Sequence, residues 1–320
     1  MDTPPPPPAA APRSNLPGIL WMAAAAAVVS VMHVLVRHTT QTIDASQVAL
    51  VRNIVCFVAM LPWLLRQERA DWVPRRPGLM LFRGLVGTGA MLTWFYALSL
   101  IPAGDATAIS FTVVIFATAF AALILKEKVG VRRWSAVAVG FVGAIVIIRP
   151  GLGGIGADGL AGALLALVSS LLWALALIMI KVLSRWDSPV TIVFYTNLIF
   201  AVVTLVPGLL AWTWPTAELW AVLVLIGVMA AVGHSMMAQA MRAAEASAVM
   251  PVDFTRLIWA SAVGFVMFGE FPDGWTWAGA GLICAAAGYI GYREARLRSG
   301  SGSGGPPPAG PTSPGTVGGR

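Results

Sequence analysis

Pro251, Asp253 and Arg256 stand inside an otherwise apolar run, EASAVMPVDFTRLIWASAVGFVMF, from Glu245 to Phe268. An arginine near the centre of a bilayer-length stretch is costly unless it faces a partner, a ligand or a water-filled cavity. On a helix, Asp253 and Arg256 are three residues apart and share a face, where each partly neutralises the other. Pro251 cannot donate to the Ser247 carbonyl, which predicts a kink with a free acceptor beside the charges. Two roles fit this arrangement. In one, Arg256 anchors an anionic group of a substrate bidentately, while Asp253 holds the empty guanidinium or takes a proton during coupling. In the other, the pair locks this helix to a neighbour, a task that packed apolar groups perform better.

Other polar residues inside apolar runs extend the candidate list. Arg52 is either a second cationic contact or a side chain snorkelling outward. Asn53, Tyr195 and Asn197 either touch ligand or bond between helices. Trp94, on the third run, offers a ring for stacking. His234 and Gln239, on the eighth, offer a proton relay near neutral pH and an amide, or simply packing. Glu127 and Glu270 close the fourth and ninth runs, as gate residues at opposite faces or as acids that finish a helix. The expected substrate contacts are thus Arg256, Asp253, Arg52, Asn53, Tyr195, Asn197, Trp94, His234 and Gln239. Coupling or gating is assigned to Asp253, Glu127 and Glu270. Arg83 reads as an interface anchor.

The chain that must position these groups has 320 residues, 58% hydrophobic and 11% charged, with mean hydropathy +0.80. Such a composition excludes an ordinary soluble surface and predicts an all-α, multi-pass membrane protein. Ten spanning runs are expected: Leu16 to Val36, Ser46 to Leu65, Gly78 to Leu100, Gly104 to Leu125, Val131 to Ile148, Gly159 to Val182, Val190 to Trp212, Glu218 to Met241, Ala246 to Phe268 and Trp275 to Tyr292. The net charge of +7 comes from Lys and Arg between the runs, which reads as membrane orientation and not as nucleic-acid binding. With the amino terminus inside, the inner segments hold Arg13, Arg66, Arg69, Arg75, Arg76, Lys126, Lys128, Arg132, Arg133, Lys181, Arg185, Arg242 and the arginines after Tyr292, whereas the outer ones hold Arg37 and Arg149. That asymmetry predicts cytoplasmic termini. Residues 1–15 and 294–320, rich in Pro, Gly and Ser, are expected to be disordered tails.

The chain also resembles itself. An offset of 143 residues lays Ala97 to Arg149 on Ala240 to Tyr292, with Phe111-Thr112 on Phe254-Thr255, Glu127 on Glu270 and Trp134 on Trp277. The repeat partners of Pro251, Asp253 and Arg256 are Ala108, Ser110 and Val113, all uncharged. Five runs per copy is odd, so the second copy must enter the membrane from the other side. Inverted repeats of this kind place a substrate site at the midplane between halves. The expected division is a first five-helix repeat at 16–150, a linker at 151–158 and a second repeat at 159–293.

The segments YALSLIPAGDATAISFTVVIFATAFAALILKEKVGVRRWSAVAVGFVGAIVIIRPG at Tyr96 to Gly151 and AMRAAEASAVMPVDFTRLIWASAVGFVMFGEFPDGWTWAGAGLI at Ala240 to Ile283 resemble the two EamA-type repeats of the drug/metabolite transporter superfamily. The resemblance covers about residues 16 to 295. It implies ten helices in a five-plus-five inverted arrangement, cytoplasmic termini and transport of small organic solutes across the inner membrane, and it matches Glu127 and Glu270 to the recurring helix-end acid. Cargo stays open, from amino acids to nucleosides, vitamins and drugs. The excess of Arg52 and Arg256 over one acid at similar depth favours an anionic or zwitterionic, amino-acid-like solute; a broad-specificity efflux carrier is the alternative. An intramembrane enzyme using Asp253 and His234 is weaker, since no HExxH, CxxC, Walker loop or GxSxG elbow occurs. No cofactor or metal is implied. The expected partners are the solute and the lipid bilayer, with protons, a counter-solute and a second copy left open.

Overall fold

The structure is a computed structural model that describes residues 16–64, 73–124, 131–148, 157–187, 189–243, 250–270 and 272–301. Glu127, residues 1–15 and most of the expected linker lie outside that set. Every regular element among the described residues is helical. In chain order they are α1 (Leu16–Thr40), α2 (Ala45–Leu64), α3 (Pro77–Leu100), α4 (Ala103–Ser110), α5 (Val113–Ile124), α6 (Val131–Ile148), α7 (Ala157–Leu183), α8 (Pro189–Leu210), α9 (Ala217–Ala243), a 3-10 turn (Met250–Thr255), α10 (Arg256–Phe268) and α11 (Gly274–Ser301). Among the described residues, six stretches are long and apolar enough to cross a membrane: Leu16–Thr40, Pro77–Leu100, Ala103–Ile124, Gly159–Leu183, Thr191–Leu210 and Ala217–Ala240. Shorter apolar stretches, Ala45–Ala59 and Ala138–Ile147, lie within α2 and α6. The last helix continues to Ser301, past residue 294, where the carboxy-terminal tail was expected to begin.

Two runs expected to be continuous are broken. The fourth divides into α4 and α5 at Phe111-Thr112, and the ninth changes from 3-10 to α-helix at Thr255-Arg256. Pro251 therefore sits in a 3-10 turn and does not kink an α-helix. The local cause is the same in both places. Thr112 Oγ1 donates to the Ile109 carbonyl at 2.7 Å, and Thr255 Oγ1 donates to the Val252 carbonyl at 2.7 Å. A hydroxyl bonded three residues back competes with the regular helical ladder. Phe111 and Thr255, flanking the two breaks, have nearly equal torsions, φ −65° and ψ −15° against φ −63° and ψ −15°. One turn on, Thr118 Oγ1 bonds the Val114 carbonyl and Ser261 Oγ the Leu257 carbonyl. The Thr112 and Thr255 bonds, and likewise those of Thr118 and Ser261, are related by the 143-residue offset.

The helices pack in matching sets. α3 lies against α7 as α1 lies against α9; α2 meets α8, α6 meets α11, α5 and α4 meet α7, and α10 with its 3-10 turn meets α1. Exchanging the two halves leaves this pattern unchanged. The α6–α11 seam is closest at Gly143 and Gly279, where a Cβ on either would fall 2.8 or 2.5 Å from the other's carbonyl oxygen. Lipid is as apolar as leucine, so such close backbone approach, and not hydrophobic burial, draws membrane helices together. The core collects Phe95, Phe111, Ile115, Ile147, Leu223 and Ile226, each essentially inaccessible.

Candidate functional site

The broken helices meet at their breaks. The Phe111 and Phe254 rings, 143 residues apart in the chain, stand edge to face with centres 4.9 Å apart. Beside them Arg256 Nη2 pairs with Asp253 Oδ2 at 2.9 Å, and its guanidinium carbon lies 5.6 Å from the centre of the Phe111 ring. In a 3-10 turn residues three apart eclipse, so the turn itself sets Asp253 against Arg256. Both side chains keep about a quarter of their surface, 28% and 21%. Ser30 of α1 donates to the Arg256 carbonyl at 3.0 Å and steadies the start of α10.

Facing this pair across α1 is a second group. His33 packs edge-on against Trp94, centres 5.1 Å apart, and lies within the electrostatic field of Arg256, Arg52 and His234. His234 follows Leu223, Gly227 and Ala230 along one face of α9, all buried, yet is itself exposed. Residues at such spacing share a face. The His234 side chain is thus accessible where the residues before it on that face are covered. Three donors in this region have no acceptor among the described residues: Arg52 Nε, Arg256 Nε and Trp94 Nε1. A buried donor left unpaired costs about 1–3 kcal/mol, and each is ready to receive an acceptor from a bound molecule.

An ion pair stands at the opposite end. Arg37, at the end of α1, forms a two-point ion pair with Glu270, Nη2 to Oε1 at 2.5 Å and Nε to Oε2 at 3.1 Å. Its Nη1 donates to the Leu98 and Ile101 carbonyls at the end of α3, and its guanidinium lies 5.5 Å from the Phe268 ring. Gly269, with φ +69°, ends α10 in the left-handed conformation that a glycine accepts without strain and so presents Glu270 to Arg37. A cleft of about 450 Å³ lies near this end, lined by His38, Thr42, Thr213, Trp214 and Glu218 among others. It is remote from Asp253 and Arg256.

The other expected site residues fall into place unevenly. Asn53 stands beside Arg52, its Oδ1 accepting from Arg52 Nη1 at 2.9 Å and its Nδ2 facing the Phe200 carbonyl and Thr204 of α8. Arg52 is 7% exposed and does not snorkel. Asn197 bonds the Val193 carbonyl of its own helix, and Tyr195 packs with Phe194 in a separate cluster around Met80, Leu183 and Ile192. Neither joins the Arg256 group. Gln239 is exposed on α9 beyond His234. Sequence reasoning left out Arg37, Phe111 and Phe254 as site residues and gave His33 no particular role.

It also passed over Asp44 and Asp187, although the 143-residue offset relates them. Asp44 precedes α2 and accepts from the Ser46 amide at 2.8 Å and the Tyr96 hydroxyl at 2.9 Å; Asp187 precedes α8 and accepts from the Arg75 amide at 2.7 Å. Partial burial alone would raise the Asp44 pKa, but the bonds from Ser46 and Tyr96 prevail and hold it below the ordinary value of 3.8.

Comparison with known proteins agrees with the doubled architecture. The EamA-like transporter family matches residues 16–149 and again 160–292. The chain belongs to that family. It is 31% identical over 287 residues to a riboflavin transporter of Vibrio cholerae, covering 86% of this chain and 93% of that one. It is 25% identical over 287 residues to an S-adenosylmethionine uptake transporter of Rickettsia prowazekii, covering 90% and 96%. A solved crystal structure shares the fold over 89% of this chain and 99% of its own, with a TM-score of 0.55 at 18% identity. As an EamA-like protein with several membrane-length apolar helices, the chain is a multi-pass membrane transporter and not an enzyme.

Proposed function

We propose that this EamA-like protein is a secondary-active carrier that moves a small organic metabolite across the inner membrane by alternating access. In this reading ten spans form two inverted halves, 16–150 and 159–293, with both termini in the cytoplasm. The observation that carries it is the meeting of two matched helix breaks at Phe111 and Phe254, beside a charge pair present in one half only. Helix breaks at membrane depth are tolerated where they line a cavity, and carriers with inverted repeats bind cargo at such seams. The charge asymmetry between inner and outer segments supports the orientation.

Arg256, Asp253, Arg52 and Trp94 form the cargo site, with Asn53 holding Arg52 and His234 on the way in. The Arg37–Glu270 pair seals the outer end in this state, and the space at His234 is the inner approach. Tyr195, Asn197 and Gln239 take no part in this version of the site. Unpaired donors beside aromatic rings suit a planar solute rich in acceptors, which is the character of a flavin and accords with the riboflavin transporter among its relatives. A sulfonium cation suits Arg52 and Arg256 poorly.

Purified protein in proteoliposomes is expected to take up labelled riboflavin saturably, above empty vesicles. No saturable flux with riboflavin would refute the cargo. If Asp253 carries the coupling proton, Asp253→Asn should respond no longer to an imposed pH gradient while still exchanging solute; an undiminished response would remove Asp253 from coupling.

A further inference from the structure

Two arginines buried in the helical region have no carboxylate partner among the described residues. Arg52 of α2 is 7% exposed and Arg83 of α3 only 4%. Arg83 is therefore not the interface anchor that its place near the start of α3 suggests. Its Nη1 donates to Thr196 Oγ1 at 2.6 Å and its guanidinium carbon lies 5.8 Å from the centre of the Phe200 ring. Arg52 Nη1 donates to Asn53 Oδ1 and, at 3.3 Å, to Met91 Sδ. The Nε of each has no acceptor among the described residues. Among the described residues, Asp44 bonds Ser46 and Tyr96, Asp253 pairs with Arg256 and Glu270 with Arg37, while Asp187 accepts from the Arg75 amide through Oδ1 and its Oδ2 pairs with neither arginine. Removing such a cation from water costs several kcal/mol, which one hydroxyl or thioether does not return.

The packing keeps Arg83 in this position. A Cβ at Gly87, one turn along α3, would come within 2.9 Å of the Phe200 ring and 3.6 Å of Arg83 Nη1. Glycine there leaves room for the ring to lie against the guanidinium. Both arginines abut one strip of α8, Arg83 at Thr196 and Phe200, and Arg52 through Asn53 at Phe200 and Thr204. Thr196 and Thr204 are eight residues apart, about 12 Å by helical rise. That is too far for one small anion to bridge and suits two successive stations.

We propose that Arg83, with Arg52 next along the strip, is a subsite for an anionic group, a phosphate ester or carboxylate, carried on the heteroaromatic solute. The inference rests on the transport reading above and narrows its cargo from a neutral flavin to an anionic one. A guanidinium fork receives such a group through two parallel bonds. The phosphate of an anionic lipid has the same chemistry, so the test must separate the two sources.

The experiment titrates purified full-length protein in detergent with riboflavin and with riboflavin 5′-phosphate, following flavin fluorescence. The phosphate ester should bind at least about tenfold more tightly, equivalent to one strong charged contact. Inorganic phosphate should compete with the ester and not with riboflavin, a check that needs no variant. Arg83→Gln should bring the ratio of the two affinities close to one, and Arg83→Lys should leave a reduced preference. Equal binding of the two flavins by the wild type, or a preference that survives Arg83→Gln, overturns the subsite and leaves the transport reading intact. Failure of both flavins to bind overturns the reading beneath it as well. Displacement of the ester by phosphatidylglycerol, with no competition from inorganic phosphate, assigns the arginines to lipid and overturns the proposal.

Discussion

The two broken helices, α4 with α5 and the 3-10 turn with α10, share the hydroxyl bonds at their breaks and differ in helix type and in chemistry. Each break lies at or just after a Phe-Thr step, each threonine bonds the carbonyl three residues back at 2.7 Å, and the phenylalanines touch. Yet the first carries Ala108, Ser110 and Val113 where the second carries Pro251, Asp253 and Arg256. The shared hydroxyl bonds and ring contact make the seam, and the charges stand on one side of it only. In the transport reading proposed above, repetition supplies a place for cargo and divergence of one copy supplies what holds it.

The comparison is broken most directly at position 256. Arg256→Ala is expected to cut riboflavin flux in proteoliposomes by about a hundredfold or more, the size of losing a buried charged contact. Val113→Ala, its repeat partner, should stay within about twofold, since one lost methyl pair in a packed seam costs little. Equal losses would mean that the break, and not the charge, carries transport. Next in size is the Arg37–Glu270 tie. Glu270→Gln removes the ion pair with Arg37 and should lower flux by roughly tenfold through an altered balance between faces. A cysteine probe at the carboxy-terminal end of α1 should become more reactive in the same variant; unchanged labelling would argue against a seal there.

Smaller effects sharpen the likeness between the halves. Thr112→Ala and Thr255→Ala should each change stability by no more than about 1 kcal/mol and agree with each other, as read by thermal unfolding in detergent. A large difference would show that the two breaks are held by different forces. The smallest expected effect is at Asp44. Its pKa in the folded protein lies below the ordinary 3.8, so the stability it lends is present above that value and is lost as pH falls through the folded-state value. Asp44→Asn should lower the melting temperature by about 2 °C at neutral pH and converge on wild type in acid. A gap that persists in acid would deny the carboxylate that role.

Much of this architecture was legible before any coordinates. Apolar runs, the 143-residue recurrence and the intramembrane pair at Asp253 and Arg256 are written within short stretches of chain, where spacing alone carries the information. The paired breaks were half legible: the Phe-Thr match was visible, but the change of helix type was not, because apolar pattern does not distinguish a 3-10 turn from a turn of α-helix. Arg83 was misjudged for a related reason. Its distance from a helix end can be counted, whereas its burial under Phe200 depends on how α3 and α8 are rotated.

The sequence by itself determined that the chain is a helical membrane protein, that it is doubled and that one copy carries the charge. Only the tertiary structure decided that Arg37 would reach Glu270 across 233 residues, that Tyr195 and Asn197 would lie apart from Arg256, and that Arg52 and Arg83 would share one strip of α8. Lipid and protein interior are equally apolar, so a membrane helix bears little imprint of which face turns inward. That choice is made by close packing between helices far apart in the chain.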